Sequence, residues 1–407
     1  MKNLILIFVF GMVFQAELFP QGYTYTNLSS NLPSGSGTAL LTKMSWINLN
    51  EGWISSGAAG EIYHTADGGN SFNTQTASNS SVVHSVFMLN QLEGYATGDM
   101  YRVMNTMNGG NLWSSNWYAA SDLLALGFPQ GSSTGFACGY AGWIFSISPT
   151  GINSCASPFN QTLFDLSFPG VNGWACGNGV IGRYISTTGW VNDQLFPAGN
   201  YKGIFMMDDL TGWAVGEGGL ILKTTNGKDW TLQNNPDILH RNLNDVCFLN
   251  SQAGIAVGDN GLILLTFDGG TSWTVETSLQ LTHNLNDVKF PVPDAGYIAG
   301  DGPTLIKVQS PSAGMENSTE NDSEIRLFIS PNPSSEFFRI HFHLPLTDHV
   351  LLRIYDHCGR LITTLQDKGL PAGDYTLSYK ASDLKKGTYV CSLFSGVETR
   401  SVCMMVK

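Results

Sequence analysis

The chain has 407 residues, a formal net charge of −12 and a sequence pI near 5.0. An acidic balance of this size argues against nucleic acid as a partner, because phosphate backbones require a basic surface. The length permits one large hydrophobic core and a second, smaller domain.

An apolar run near the N-terminus, LILIFVFGMVF, follows a single lysine. Its length fits the hydrophobic region of a signal peptide and is too short to span a bilayer. We therefore predict a signal peptide over residues 1–22, cleaved between Ala16 and Gly22. No later segment of the sequence reaches transmembrane length, so we expect no transmembrane segment.

A motif of glycine, an aromatic residue, two small residues and a second glycine recurs at intervals of 38–42 residues. A period near 40 with glycine-rich turns and short alternating runs is typical of β-propeller blades. The sequence therefore predicts an all-β chain with a seven-bladed β-propeller over residues 23–308. The seven copies are GWISSG from Gly52, GYATG from Gly94, GFACG from Gly135, GWACG from Gly173, GWAVG from Gly212, GIAVG from Gly254 and GYIAG from Gly296.

The sixth copy shows most clearly the four strands expected of a blade. Each run is short, rich in β-branched or aromatic residues, and bounded by Gly, Asn or Asp. The predicted strands are Asp245–Leu249, Gly254–Gly258, Leu262–Thr266 and Ser272–Thr277.

The seventh copy has candidates for three strands, ending at Thr304–Val308, and none for a fourth. The N-terminal run Tyr23–Leu28 resembles the fourth strands of the fifth and sixth copies. We expect this run to complete the seventh blade and close the ring, which removes its exposed edges.

Several copies carry Thr-x-Asp/Asn-Gly-Gly before their last strand, as in TADGGNSF from Thr65 and TFDGGTSW from Thr266. This pattern resembles the Asp-box (BNR) repeat of sialidase-type and sortilin-type propellers. Together with the GWAVG motifs, it resembles the propeller of photosystem II assembly and stability factors. The resemblance implies a fold and leaves the function open. We expect Asp67 and Asp268 to serve the turn rather than a metal or a substrate.

A polar, acidic stretch over residues 309–325 predicts a linker, and residues 326–407 predict a small Ig-like β-sandwich. This second unit resembles the C-terminal (Por) sorting domain of type IX secretion cargo in Bacteroidetes. The resemblance implies the type IX machinery as a partner and an extracellular or outer-membrane surface location; the alternative is an ordinary accessory sandwich. Its motif residues are Pro331, Asn332, Pro333, Gly359, Gly373, Gly387 and Lys407.

Two cysteines of this unit, Cys391 and Cys403, are equidistant from Val397. A hairpin centred there would place them opposite each other, so a disulfide is a candidate. In the propeller, Cys138 and Cys176 occupy equivalent repeat positions, and we expect them to be small buried hydrophobic residues.

One face of the ring is predicted to carry an acidic sector at the mouth of the central channel. The loops that lead into the first strands and the turns between the second and third strands emerge there, opposite Ala58, Ala59, Asp99 and Tyr140. Such a sector would suit a cation, with Ca²⁺ the candidate cofactor, or a basic partner segment. The alternative is a solvated rim in which Asp favours turns. The sector comprises Asp165, Glu217, Asp245, Asp259, Asp287 and Asp301.

The sequence contains no pattern that assigns a catalytic residue. The propeller's arginines, Arg102, Arg183 and Arg241, fit no sialidase pattern, and its histidines lack zinc-ligand spacing. We predict a monomeric, non-catalytic binding or scaffold propeller for a glycan, peptide or protein ligand. The alternatives are a secreted Asp-box glycoside hydrolase and an assembly factor with a protein client.

Overall fold

The computed structural model describes residues 23–33, 40–57, 60–77, 82–292, 295–309, 325–330, 337–356, 360–396 and 398–406. Residues 23–309 belong to one compact unit and residues 325–406 to a second. The predicted signal peptide and most of the predicted linker lie outside the described residues.

Within the described residues, the first unit contains seven four-stranded antiparallel sheets, each one blade. The first strand of each blade contacts the first strands of its two neighbours, and the last contacts the first, so these inner strands close a ring around an axis. The inner strands are β2 (Leu41–Trp46), β6 (Val83–Met88), β10 (Leu123–Gly127), β14 (Leu163–Ser167), β18 (Tyr201–Met206), β22 (Leu243–Phe248) and β26 (Leu285–Val292).

The second strands carry the repeated glycine motif and are buried along their whole length. They are β3 (Gly52–Ser56), β7 (Gly94–Gly98), β11 (Gly135–Gly139), β15 (Gly173–Gly177), β19 (Gly212–Gly216), β23 (Gly254–Gly258) and β27 (Ala295–Gly300). The third strands are β4 (Glu61–Thr65), β8 (Arg102–Thr106), β12 (Ile144–Ser148), β16 (Val180–Ile185), β20 (Ile221–Thr224), β24 (Ile263–Thr266) and β28 (Thr304–Gln309).

The fourth, outer strands are shorter and more exposed, as expected of strands at the rim. They are β5 (Asn73–Thr76), β9 (Ser114–Tyr118), β13 (Gly151–Ser154), β17 (Gly189–Val191), β21 (Trp230–Leu232), β25 (Thr274–Val275) and, for the seventh blade, β1 (Thr24–Asn27). Short 3₁₀ segments span Ser29–Asn31 and Ala381–Asp383, whereas Tyr140–Gly142, Glu217–Gly219 and Asp259–Gly261 are tight turns that contain residues with positive φ.

The predicted ring closure is confirmed. β1 pairs antiparallel with β28, with Tyr25 opposite Val308. The seventh blade therefore takes its outer strand from the beginning of the propeller and its other three from the end. Leu28, which follows β1, is 5% exposed and packs in the core between the seventh and first blades.

The two glycines of the repeated motif have separate steric causes. A Cβ at Gly212 would collide with the Met206 side chain at the end of the inner strand. A Cβ at Gly216 would collide with the carbonyl of Asn200, just before the inner strand begins. The first glycine thus makes room for a large side chain, and the second permits a close backbone approach.

Where the motif carries tryptophan, this residue joins its blade to the next. The Trp213 ring stacks on Phe248 of the sixth blade, with ring centroids 3.5 Å apart. Its indole N–H donates a hydrogen bond of 3.3 Å to the carbonyl of Gly269, which lies in the Asp-box-like turn of that blade. Trp174 makes the equivalent bond to Gly227 at 3.0 Å. At these contacts, the glycine motif of one blade therefore meets the Asp-box-like turn of the next.

Asp268 has the local role expected for it. Its carboxylate accepts hydrogen bonds from the Thr266 hydroxyl and the Ser272 backbone N–H, both at 2.9 Å. The Gly270 N–H in turn donates to the Thr266 hydroxyl at 2.8 Å. The network closes the turn from within, as is typical of Asp in tight turns.

The second unit consists of two antiparallel sheets around one hydrophobic core, and the predicted small sandwich is confirmed. One sheet has the order β29-β30-β33 and the other β32-β31-β34-β35. These strands are β29 (Arg326–Ser330), β30 (Phe337–Leu344), β31 (Asp348–Asp356), β32 (Leu361–Leu370), β33 (Gly373–Lys380), β34 (Gly387–Ser395) and β35 (Glu398–Val406).

The two cysteines of this unit do not face each other across the hairpin. Cys391 lies opposite Val402, and Cys403 lies opposite Val390, because the last paired residues are Ser395 and Glu398. The pairing is thus centred half a residue before the position assumed from the sequence, which shifts the register by one residue. Cys391 is a buried free thiol, and so, as expected, are Cys138 and Cys176.

Of the sorting-motif residues, Gly373 and Gly387 begin β33 and β34 with φ of 142° and 149°. A side chain disfavours this backbone region, which explains glycine at both positions. The other motif residues, Pro331, Asn332, Pro333, Gly359 and Lys407, lie outside the described residues.

We expect Leu28→Ala to lower the free energy of unfolding by about 2–4 kcal/mol, because it opens a cavity at the closure between two blades. Leu210→Ala is the matched control, since Leu210 is 57% exposed and should change stability by less than about 0.5 kcal/mol. Urea unfolding of both variants measures the difference. Equal midpoints for the two variants would contradict a role for Leu28 in closure.

Candidate functional site

A cavity of about 340 Å³ lies at the axis of the propeller, and all seven inner strands or the residues directly after them contribute to its wall. Half-buried aromatic rings dominate one part of this wall: Trp46, Phe87, Phe168, Phe205 and Phe290. Three charged side chains also line it, Lys43, Asp165 and Lys289. A cavity with an apolar wall and a few convergent charges is typical of a ligand site.

A β-bulge near the start of every inner strand determines where its polar side chains point. In the sixth blade, Leu243 pairs with Gly258 and Asp245 with Val257, so Asn244 is the extra residue. The same kind of register shift occurs at the start of the other six inner strands. Bulges redirect side chains. The second and third residues of each inner strand therefore belong to different layers of the site.

The third residues of the inner strands form a buried layer. Asp245 and Asp287 are 1% and 0% exposed, and Asp165 is 7% exposed. The complete set around the ring is Lys43, Ser85, Ala125, Asp165, Gly203, Asp245 and Asp287.

Each aspartate of this layer accepts a hydrogen bond from the backbone N–H of the next blade's inner strand. Asp165 Oδ2 accepts from Ile204 at 3.1 Å, and Asp245 Oδ2 accepts from Val288 at 3.0 Å. Asp287 Oδ2 accepts from Met44 at 2.8 Å, across the closure of the ring. The axis-facing edge of an inner strand has no neighbouring strand, so these carboxylates satisfy donors that would otherwise be unpaired.

Two lysines form ion pairs with the three carboxylates. Lys43 Nζ is 3.3 Å from both Asp165 Oδ1 and Asp287 Oδ1. Lys289 Nζ is 3.1 Å from Asp245 Oδ2 and 3.2 Å from Asp287 Oδ1. The five charges therefore form one connected cluster, with Asp287 in contact with both ammonium groups.

The cluster separates the pKa values of its two most buried carboxyls. Burial raises the pKa of Asp287 to about 6, against the opposing effect of Lys289 and Lys43. Burial also acts to raise the pKa of Asp245, but the ammonium groups of Lys289 and then Lys43 outweigh it and hold this pKa at about 2. For Lys43, burial favours the neutral amine, yet Asp165 and the other carboxylates raise its pKa above the ordinary value.

The second residues of the inner strands and the adjacent turns form an outer layer. Glu217, Asp259 and Asp301 lie in the turns after the second strands, and each carboxylate accepts hydrogen bonds from asparagine side chains. Their partners are Asn200 and Lys202 for Glu217, Asn242 and Asn244 for Asp259, and Asn284 and Asn286 for Asp301, at 2.7–3.1 Å.

The six acidic residues expected at the mouth therefore lie in two layers with different environments. Asp165, Asp245 and Asp287 are buried and paired with lysines, and the other three remain at the rim. Their role in ligand binding stays a prediction. Of the opposing residues, Tyr140 is 47% exposed and Asp99 contacts His84 at 2.8 Å, while Ala58 and Ala59 lie outside the described residues.

The buried layer differs from the Ca²⁺ site considered from the sequence, because lysine ammonium groups supply its positive charge. Among the described residues, no group of three or more His, Cys, Asp or Glu side chains is arranged to hold a metal. Sequence reasoning overlooked Lys43 and Lys289. Aligning the inner strands shows the first of them, since LTKMSW places Lys43 where LNDVCF and LNDVKF place aspartate.

The arginines of the propeller do not form a carboxylate-binding cluster in the described residues. Arg183 pairs with Asp193 at 2.7 Å, and Arg241 pairs with Asp237 at 3.0 Å. Arg102 lies in β8, a third strand of its blade. The cavity wall described above contains none of the three.

Residues 329–407 match the secretion system C-terminal sorting domain. This domain indicates export by type IX secretion to the cell surface or the extracellular space. Within the described part of the chain, no helix has the length and apolar character that a membrane crossing requires. No curated protein sequence was found to be similar to this chain.

Solved structures similar to this chain are propellers. YCF48 bound to D1 peptide has a TM-score of 0.60 and 19% identity, over 72% of this chain and 98% of that one. The WD40 repeats of RRP9 have a TM-score of 0.59 and 9% identity, over 71% and 99% of the two chains. Virginiamycin B lyase from Staphylococcus aureus has a TM-score of 0.55 and 12% identity, over 70% and 99%. At these identities the likeness establishes the fold alone.

We expect Lys43→Met to lower the free energy of unfolding at pH 7 by about 3–5 kcal/mol, because Asp165 and Asp287 lose the cation between them. Lys228→Met is the matched control: Lys228 is 47% exposed and lies 3.7 Å from Asp193, so its loss should cost less than about 1 kcal/mol. Urea unfolding provides the measurement. If both substitutions lowered the unfolding free energy equally, the buried ion pairs of Lys43 would contribute no more to stability than the exposed pair of Lys228.

Asp287 should also make stability depend on pH between about 4 and 6. Its pKa is higher in the folded chain, so the folded state binds the proton more tightly and this carboxyl lowers stability as pH rises through 6. Lys43, Lys289 and Asp245 surround it, and none of them is expected to titrate in this window.

Asp287→Asn should remove that dependence. Relative to the variant, the natural chain should lose on the order of 2 kcal/mol of unfolding free energy between pH 4 and pH 7. Urea midpoints across this range give the difference. A difference that does not vary with pH would refute the assignment to Asp287.

Proposed function

We propose that the protein is an exported, non-catalytic propeller that binds a partner at the axial cavity. The observation that carries this proposal is a preformed cavity of about 340 Å³ with half-buried aromatic rings in its wall. Aromatic surface held on rigid strands binds at a low entropic cost, because little has to be ordered on binding.

The charges of the buried layer support binding rather than bond-making chemistry. The carboxylates contact backbone N–H groups and lysines, and Asp245 and Asp287 are almost completely buried. A general acid or base must reach its substrate. Here the most perturbed carboxyls are used to hold neighbouring blades together.

A peptide or protein partner is consistent with the fold. YCF48 is a propeller of similar structure that was solved with a bound D1 peptide. For the present chain the aromatic wall of the cavity supports a partner with apolar side chains, which is compatible with the alternative of an assembly factor acting on a protein client.

A catalytic function is the second candidate, and one observation favours it. Asp287 and Asp245 are neighbours with raised and lowered pKa values, a pattern found in pairs of catalytic carboxyls. Virginiamycin B lyase also shows that a propeller of similar fold can be an enzyme. A glycoside hydrolase of the sialidase type is less well supported, because the described cavity wall has no arginine.

The experiment exposes the full chain to arrays of peptides and oligosaccharides and scores both retention and new products. We expect retention without product. Phe205→Trp should weaken retention roughly tenfold, because the larger ring fills part of the cavity. Leu232→Trp, at a side chain that is 59% exposed on an outer strand, is the matched control. Product that disappears with Asp287→Asn would establish the catalytic alternative.

A further inference from the structure

Four turns on one face of the propeller share an unusual backbone conformation. This upper face carries the turns between second and third strands, and in each of the four the two central residues have positive φ. Such turns ordinarily contain Asn-Gly or Gly-Gly, because side chains disfavour this region. The central pairs are Met100–Tyr101, Ala141–Gly142, Gly218–Gly219 and Asn260–Gly261.

The second blade departs most from this rule. Met100 has φ of 61° and Tyr101 has φ of 65°, although neither is glycine or asparagine. A large side chain in this conformation is strained, and such strain persists where the surrounding structure holds it in place. The Tyr101 N–H donates to Asp122 Oδ1 at 2.9 Å, and its carbonyl accepts from the Ala119 N–H at 2.7 Å.

The strained turn lies beside a second exposed aromatic turn. Asp122 connects the two, because its carbonyl also accepts a hydrogen bond from the Tyr140 N–H at 3.3 Å. The side chains of both turns are exposed: Met100 61%, Tyr101 52%, Tyr140 47% and Trp143 40%. We call these four residues the apolar arc. Bulky apolar side chains held in solvent at the expense of backbone strain indicate a binding surface.

The other half of the same face is negatively charged. Glu217, Asp259 and Asp301 occupy the corresponding turns of the fifth, sixth and seventh blades, and we call them the acidic arc. Lys202 contacts Glu217, while the partners of Asp259 and Asp301 are neutral asparagines. The chain as a whole has a net charge of −12, so its field adds to the attraction for cations.

We propose that the upper face binds an extended peptide segment that carries an aromatic or aliphatic anchor next to basic residues. The anchor contacts the apolar arc, and the basic side chains contact the acidic arc. This inference rests on the proposed binding function and adds the class of partner. A neutral oligosaccharide fits less well, because the acidic half would contribute no charge complementarity and Met100 offers a flexible rather than a flat surface.

The probe is a fluorescently labelled peptide in which a Trp-Leu pair is flanked by arginines, and anisotropy reports its binding to the full chain. Tyr101→Gly removes the exposed ring and also relieves the strained backbone. We expect binding roughly tenfold weaker and a thermal midpoint higher by roughly 2 °C. A stabilised variant that binds less well excludes misfolding as the cause.

Two further comparisons separate the halves of the face. Leu92→Ala, which removes a side chain that is 58% exposed in the turn between β6 and β7, should leave binding unchanged. Asp259→Asn with Asp301→Asn keeps the shape of both turns and should reduce both the affinity and its dependence on salt. Peptides with glutamate in place of arginine, or serine in place of Trp-Leu, should bind poorly.

The outcomes distinguish this inference from the function on which it rests. Peptide binding that Tyr101→Gly leaves intact would overturn the assignment to the upper face. If Phe205→Trp abolished that binding, the peptide site would be assigned to the cavity instead. Retention of neutral oligosaccharides without basic peptides would overturn the partner class and leave the binding function in place. Turnover without retention of any probe would overturn both.

Discussion

Each inner strand has one edge paired within its own blade and one edge that faces the axis, where no further strand can continue the ladder. The N–H groups on that edge need acceptors, and three of them receive carboxylates from the preceding blade, Asp165, Asp245 and Asp287. Carboxylates buried so close together need cations, which Lys43 and Lys289 provide. The charged cluster at the axis is thus a consequence of how the ring satisfies its inner edges.

Neighbouring blades are connected at two radii. At the axis, aspartates connect one inner strand to the next. Farther out, the buried indoles of Trp213 and Trp174 donate to the turn of the following blade, and Trp213 also stacks on Phe248. The first connection is electrostatic and depends on the protonation of Asp287, whereas the second depends on apolar burial and an indole N–H. Two physically different connections keep the cavity wall in place between them.

Much of the fold could be predicted because its causes are local. Gly212 and Gly216 are required by contacts within one blade, so the motif recurs wherever a blade recurs and reveals the number of blades. The closing strand could be inferred from its likeness to other fourth strands. The charged cluster could not be found in this way, because Lys43 and Asp165 are 122 residues apart and meet only across the axis.

The predicted pairing of the two C-terminal cysteines was wrong by a single residue. The last paired residues of the C-terminal hairpin are Ser395 and Glu398, so Cys391 pairs with Val402 and Cys403 pairs with Val390 instead of with each other. Sequence reasoning also overlooked the strained turn of the second blade, although its signal is present in the sequence. GDMYR stands where the sixth blade has GDNGL, so two large side chains replace the Asn-Gly pair that the turn prefers.

Packing limits which residues the turns can carry on both faces of the ring. On the face with the Asp-box-like turns, a side chain at Gly270 would collide with the Trp213 indole, so the connection between blades excludes a larger residue. On the upper face the limit differs from position to position: a side chain at Gly261 would collide with the Leu281 carbonyl, whereas one at Gly218 would meet no atom within 4 Å. The second blade places Met100–Tyr101 at the corresponding pair of positions. Large exposed side chains therefore occur on the upper face where the turn has room for them, as at Met100 and Tyr101.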